Sequence, residues 1–319
     1  MLIVSLMMGG GLLLLIGGAD TLVRGATSIA RRVGISPLVI GLTVVALATS
    51  LPELLVSVGA SLRGSPGVAF GNIVGSNIAN IGLILGTAAV LAPIRVQAQV
   101  IRFDAPILLV CSVAMIGVGL DGTISRIDGL FLVITLIGYI VFNIRLARKE
   151  PEAKALQKEF SEALAQELPL WQASLFLLGG LAGLLFGADL LVDGAVQVAS
   201  SFGIPDAVVG LTIIAVGTSL PELATSVAAA YRGKGDIAIG NAVGSSIFNI
   251  LGILGATTLI HPLDASSIAV EDMLVMTGFG VLVLPLLRSD VTLSRREGAL
   301  LLTAYAAYIA WTVAKTMGG

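Results

Sequence analysis

The 319 residues are 56% apolar and only 12% charged, with a mean hydropathy of +1.01 and a formal net charge of −2. Soluble domains carry roughly 25% charged residues, so an ordinary cytosolic enzyme is excluded, and the near-neutral balance excludes a nucleic-acid binder working by bulk electrostatics. One cysteine, Cys111, and one histidine, His261, leave no disulfide framework, no thiolate metal site and no His-pair chemistry.

A helix needs about 20 apolar residues to cross some 30 Å of hydrocarbon. Ten such stretches occur, at about 2–22, 37–62, 68–91, 105–120, 129–145, 170–192, 206–230, 237–260, 271–287 and 298–317. None alternates in hydrophobicity as barrel strands do, so all ten are expected as helices. The first lacks a basic leader and a small-residue cleavage site and is expected to be retained. Cys111 reads as a small buried hydrophobe, and His261 as a loop residue beside Pro262.

Fifteen of the 18 basic residues fall in one set of alternate loops; the other side holds only Arg63, Arg126 and Lys315. The positive-inside rule then places both termini outside the cytoplasm and the central linker, 147–169, within it. That linker is the one stretch of soluble-protein character. Leu156, Phe160 and Leu164 lie four apart among Lys and Glu, which predicts a short amphipathic helix.

The chain repeats itself at an offset of 169. Gly41–Leu54 and Gly210–Leu223 agree at 10 of 14 positions, and Gly71–Gly86 and Gly240–Gly255 at 11 of 16. The chain therefore divides into a first repeat (1–146), the linker (147–169) and a second repeat (170–319). Five spans per repeat is an odd number, so the second copy enters the membrane from the opposite side. Two inverted repeats with a site near the midplane are the architecture of secondary transporters.

Thr49-Ser50-Leu51-Pro52-Glu53 sits inside the second span and Thr218-Ser219-Leu220-Pro221-Glu222 inside the seventh. Proline within a helix removes a donor and clashes with the carbonyl four residues back, freeing oxygens near Ala48 and Gly217. Glu53 and Glu222 are costly at that depth, and every Lys and Arg is assigned to a loop or terminus. A transported cation is the simplest counter-charge. In the third and eighth spans Asn72, Ser76 and Asn80, and Asn241, Ser245 and Asn249, recur every four residues on one face. Ser76, Asn80, Ser245 and Asn249 read as ligands. Asn72 and Asn241 read equally as ligands or as packing contacts. Gly71 and Gly75, with Gly240 and Gly244, let that face approach a neighbouring helix closely. Spans 2, 3, 7 and 8 are expected to be broken around the site. The donors are carboxylate, hydroxyl, amide and carbonyl oxygens, the set that hard cations such as Ca²⁺ and Na⁺ prefer. Asp20 can pair with Arg24 one turn on, which points to structure rather than to ion binding.

These motifs resemble the sodium/calcium exchanger family of the cation/calcium exchanger superfamily, over nearly the whole chain. The resemblance implies that Ca²⁺ and Na⁺ compete for Glu53 and Glu222, with the carbonyls of Thr49 and Thr218. It implies sodium sites around Ala46, Ser50 and Ser245 on one side and Ala215, Ser219 and Ser76 on the other. Ala48 stands where the family usually has Gly. Asn249, like Asn80, replaces the Asp of potassium-dependent relatives, which implies a K⁺-independent exchanger. No cofactor, nucleic acid or obligatory protein partner is implied; the substrates are Ca²⁺ and Na⁺ and the setting a prokaryotic inner membrane. A Ca²⁺/H⁺ antiporter on the same fold is the alternative, because two carboxylates ~6 Å apart at an effective dielectric of ~20 repel by roughly 3 kcal/mol and attract a proton as well as a metal. The surplus of neutral oxygens favours Na⁺. A cation channel would not require matching half-sites, and a scaffold would not need intramembrane glutamates.

Overall fold

The computed structural model describes residues 2–33, 35–118, 122–149, 168–201, 215–264, 270–289 and 291–317. Helix α1 (Leu2–Val33) is followed by α2 (Pro37–Thr49), α3 (Leu51–Leu62), α4 (Pro66–Leu91), α5 (Val100–Val118) and α6 (Arg126–Lys149). The second half holds α7 (Leu170–Ser201), α8 (Ala215–Thr218), α9 (Leu220–Tyr231), α10 (Gly235–Ile260), α11 (Val270–Arg288) and α12 (Arg295–Met317). Eight of these helices are long and apolar enough to cross a membrane, and the bent pair α2–α3 makes a ninth. The protein is an integral membrane protein. Ten spans were expected; of the segment 206–230, only the part from Ala215 onward, in α8 and α9, lies within the described residues.

Prolines begin the helices around the site. Pro37 and Pro66 occupy first-turn positions, where the missing amide costs nothing, and Ser36 Oγ caps α2 by accepting from the Val39 amide at 3.3 Å. Pro52 acts differently. It has no hydrogen to give the Ala48 carbonyl, so the helix stops at Thr49, turns through Ser50 (φ −82°, ψ 10°) and restarts at Leu51 with a 45° bend. Pro221 does the same between α8 and α9 at Ser219 (φ −90°, ψ 7°). Both broken helices end at repeat-related glycines with positive φ, Gly64 (71°) and Gly233 (68°), the left-handed residue that closes a helix.

The expectation of breaks in the third and eighth spans is corrected. Both α4 and α10 run on without interruption, each with a wide π turn, Asn80–Leu85 and Asn249–Leu254. Each turn begins at a predicted ligand Asn. A π turn shifts the helix face by one residue without releasing the chain, so both spans stay continuous.

Helix α10 is almost wholly enclosed and α4 largely so, whereas α1, α6, α7 and α12 leave most of their apolar surface outward. Leu13, Phe131, Trp171 and Leu178 are among the outward side chains, as expected of a lipid-facing shell around an inner pair of helices. Helices α1 and α7 touch backbone to backbone: a Cβ on Gly18 would lie 2.8 Å from the Gly180 carbonyl, and one on Gly180 2.5 Å from the Leu22 amide. Both have 32 residues, about 48 Å at 1.5 Å per residue, and so exceed the 2–22 and 170–192 read from hydropathy.

Two short antiparallel pairs tie the halves together, Ile94–Arg95 (β1) with Thr292–Leu293 (β4) and Thr123–Ile124 (β2) with Leu263–Asp264 (β3). Asp20 pairs with Arg24 at 3.1 Å as expected; it also contacts Arg232, joining α1 to the end of α9. Asp104, fully buried, accepts from Tyr139 at 2.9 Å and from Gln99 at 3.2 Å, which fixes α5 on α6 without any role in the site. Cys111 is buried as a small apolar residue. The linker helix predicted around Leu156, Phe160 and Leu164 lies outside the described residues.

Candidate cation-binding site

The two helix breaks define the site. Each supplies a Thr-Ser pair at the end of one helix and a glutamate in the first turn of the next, where the N-terminal dipole favours an anion. The pairing is crossed between the repeats. Ser50 Oγ donates to Glu222 Oε1 at 3.0 Å, and Ser219 Oγ donates to Glu53 Oε1 at 3.0 Å. Ser219 also reaches Ser76 Oγ at 3.4 Å, bringing α4 into the cluster. Ser50, Ser219, Glu53, Glu222 and Ser76 are all buried.

The second oxygens of the glutamates are left over. Among the described residues, Glu53 Oε2, Glu222 Oε2, Asn80 Oδ1, Asn249 Oδ1 and Ser245 Oγ are buried without a hydrogen-bond partner. An unpaired buried polar group costs about 1–3 kcal/mol, and an unpaired charge more. Ser61, Asn77, Thr225 and Thr257 also carry partnerless buried oxygens; the five at positions singled out from the sequence are of the oxygen types that would make a cage for a hard cation. Among the described residues, the ion pairs of acidic side chains involve Asp20 and Glu271, and no basic group pairs with either glutamate. Among the described residues no three His, Cys, Asp or Glu gather, so any cation here would draw on hydroxyl, amide and carbonyl oxygens beside the two carboxylates.

The remaining predicted residues fall around this cage. Thr49 is fully buried, but its hydroxyl is already used: its single hydrogen is shared between the Val45 carbonyl at 3.0 Å and Asn241 Oδ1 at 3.2 Å. Thr218 donates to Asn72 Oδ1 at 3.4 Å. The resemblance assigns their carbonyls, not these hydroxyls, to the cation. Ala46 is buried, with its carbonyl accepting from the Ser50 amide at 3.1 Å. Ala215 opens α8.

Asn72 and Asn241 resolve toward hydrogen bonding. Asn72 Nδ2 donates to the Glu53 carbonyl at 3.1 Å and to Ser57 Oγ at 2.9 Å. Asn241 Nδ2 makes the same pair of bonds to the Glu222 carbonyl (3.2 Å) and Ser226 Oγ (3.0 Å). Ser57 and Ser226 were not singled out in the sequence. Ser57 stands one turn beyond Glu53 and would pass for an inert neighbour; it is instead fully buried and holds Asn72. Its recurrence at the same offset, as Ser226, was the available signal.

A family profile described as "Sodium/calcium exchanger protein" matches residues 3–145 and again 172–314. The sodium/calcium exchanger MaX1 of Methanosarcina acetivorans is 34% identical over 334 residues, covering 94% of this chain and 95% of the relative. The inner membrane protein YrbG of Escherichia coli K12 is 41% identical over 271 residues, covering 84% and 83%. A solved structure of the sodium-calcium exchanger NCX_Mj, soaked with 10 mM Na⁺ and 10 mM Sr²⁺, superposes with a TM-score of 0.84 at 36% identity, covering 97% of this chain and 99% of that one. The chain belongs to the sodium/calcium exchanger protein family.

Proposed function

We propose that this family member is a secondary antiporter that exchanges Ca²⁺ for Na⁺ by alternating access, without K⁺. The observation that carries the reading is the set of five partnerless buried oxygens around two glutamates with no basic partner among the described residues. Two carboxylates balance one Ca²⁺; the neutral hydroxyl and amide oxygens give Na⁺ the additional coordination that a proton would not use. Glu53 and Glu222 bind both ions, with the Thr49 and Thr218 carbonyls. Ser50, Ser245 and Ala46 serve one sodium position and Ser219, Ser76 and Ala215 the other, while Asn80 and Asn249 complete the centre. Asn249 keeps the centre to two carboxylates, which is the motive for K⁺ independence. The names of MaX1 and NCX_Mj agree with this substrate pair.

The test is uptake of radiolabelled Ca²⁺ into proteoliposomes. Na⁺-loaded vesicles diluted into Na⁺-free buffer should accumulate Ca²⁺ equally with and without K⁺. Uptake driven by a pH gradient and indifferent to Na⁺ would overturn the reading in favour of Ca²⁺/H⁺ exchange on the same site.

The two repeats, 1–146 and 170–319, are inverted, with both termini outside and the linker 147–169 in the cytoplasm of a prokaryotic cell. The bonds from Arg32 Nε (2.9 Å) and Ser28 Oγ (3.4 Å) to the Leu168 carbonyl support the inversion, since they hold the end of α1 beside the start of α7; the sidedness rests on the basic residues alone. In a Cys111→Ala background, a cysteine placed at residue 158 should resist an impermeant thiol reagent added to intact cells and react once the membrane is opened. Labelling from outside reverses the topology.

A further inference from the structure

Each repeat contributes one asparagine whose amide is spent on both halves at once. Asn241, on α10, donates to the Glu222 carbonyl and to Ser226 within its own repeat, while its Oδ1 accepts from Thr49 of the other repeat. Asn72, on α4, does the same with Glu53, Ser57 and Thr218. A side-chain amide has two hydrogens and one carbonyl oxygen, and in each case all are engaged, so neither side chain has a donor to spare and neither oxygen points unpartnered into the cage. That separates them from Asn80 and Asn249, whose oxygens are partnerless.

We infer that Asn72 and Asn241 are positioning residues that hold the glutamate of one repeat at a fixed distance from the threonine carbonyl of the other, and thereby set the preference of the site for Ca²⁺ over Na⁺. The inference rests on the cation-binding reading of the site. The reasoning is one of charge and convergence. A divalent ion requires Glu53 and Glu222 to approach together, against their mutual repulsion, with carbonyls from both breaks in reach. A monovalent ion needs one carboxylate and several neutral oxygens, which a loosened site still offers. The crossed Thr–Asn bonds tie the two breaks together beside the Ser50–Glu222 and Ser219–Glu53 bonds without using a carboxylate oxygen, so their loss should weaken Ca²⁺ more than Na⁺.

The experiment is ion binding to the purified full-length protein by calorimetry, together with flux in proteoliposomes. Thr49→Val should lower Ca²⁺ affinity about tenfold, the effect of losing one buried hydrogen bond, and Asn241→Ala, which loses three, at least as much, each with a smaller loss for Na⁺. The double variant should be no worse than Asn241→Ala alone, which already lacks the bond that Thr49→Val removes. Thr258→Val on the same helix deletes a buried hydroxyl bonded only to the Leu254 and Gly255 carbonyls; it should leave the Ca²⁺ to Na⁺ ratio at the wild-type value. Asn241→Asp keeps the shape but exchanges both donors for acceptors, and should lower Ca²⁺ affinity. Higher Ca²⁺ affinity in Asn241→Asp would mean that the side chain is a ligand and would overturn the inference. Additive losses, or equal losses for both ions, would do the same. Asn72→Ala and Asn72→Asp, at a half-buried position, repeat the test if the Asn241 variants fail to fold. Absence of any Ca²⁺ or Na⁺ binding by the wild type would instead remove the cation-site reading on which the inference stands.

Discussion

Glu53→Gln and Glu222→Gln are each expected to abolish Ca²⁺-driven exchange while raising the melting temperature of the ion-free protein. The two effects have one cause. Each glutamate has one oxygen held by a serine of the opposite repeat and one without a partner, and no basic side chain among the described residues offsets either charge. Glutamine preserves the shape and can still accept the serine bond through its amide oxygen. What it removes is half of the charge that balances Ca²⁺. Loss of a charged partner in a dehydrated site usually costs several kcal/mol, here about 10² or more in affinity. In the absence of ions the same substitution removes one of two buried carboxyl groups that must either repel each other or take up a proton, so the folded state is relieved. Ca²⁺ should accordingly stabilise the wild type against heat, by mass action, and fail to stabilise either variant. Near-normal Ca²⁺ flux in either variant, or retained stabilisation by Ca²⁺, would dismantle the two-carboxylate site.

The elements of that site were legible because each announces itself by a local cost. Pro52 and Pro221 cannot continue a helix, and Glu53 and Glu222 cannot be left in hydrocarbon without a reason. The four-residue recurrence of Ser76 with Asn80, and of Ser245 with Asn249, is likewise a property of one helix. What stayed hidden is relational. Nothing in the repeat says that Ser50 reaches Glu222 rather than Glu53, or that Thr49 bonds Asn241 across 192 positions. The choice between ligand and tether for Asn72 depended on whether a donor from the other half would arrive at its oxygen, and Thr218 does. The π turns were hidden for a different reason. Glycine-rich helices can break, bend or widen, and which one occurs is set by the packing of neighbours around Asn80 and Asn249, not by composition.

The expected effect on stability is largest where α10 lies against α2, at Gly244. A Cβ on Gly244 would lie 2.7 Å from Leu42 Cα, 2.8 Å from its carbonyl oxygen and 2.9 Å from its carbonyl carbon. These are backbone atoms of the widened first half of α2 and cannot turn aside. Gly244→Ala must therefore push α10 away from α2, and overpacking of this kind costs about 3 kcal/mol. Gly138, on the outward side of α6, is the control: among the described residues a Cβ there meets nothing within 4 Å, so Gly138→Ala should melt at the wild-type temperature. Melting curves on the two variants separate a contact effect from the mere addition of a methyl. Equal destabilisation of both, or a Gly244→Ala protein that melts with the wild type, would show that the approach of α10 to α2 does not limit stability.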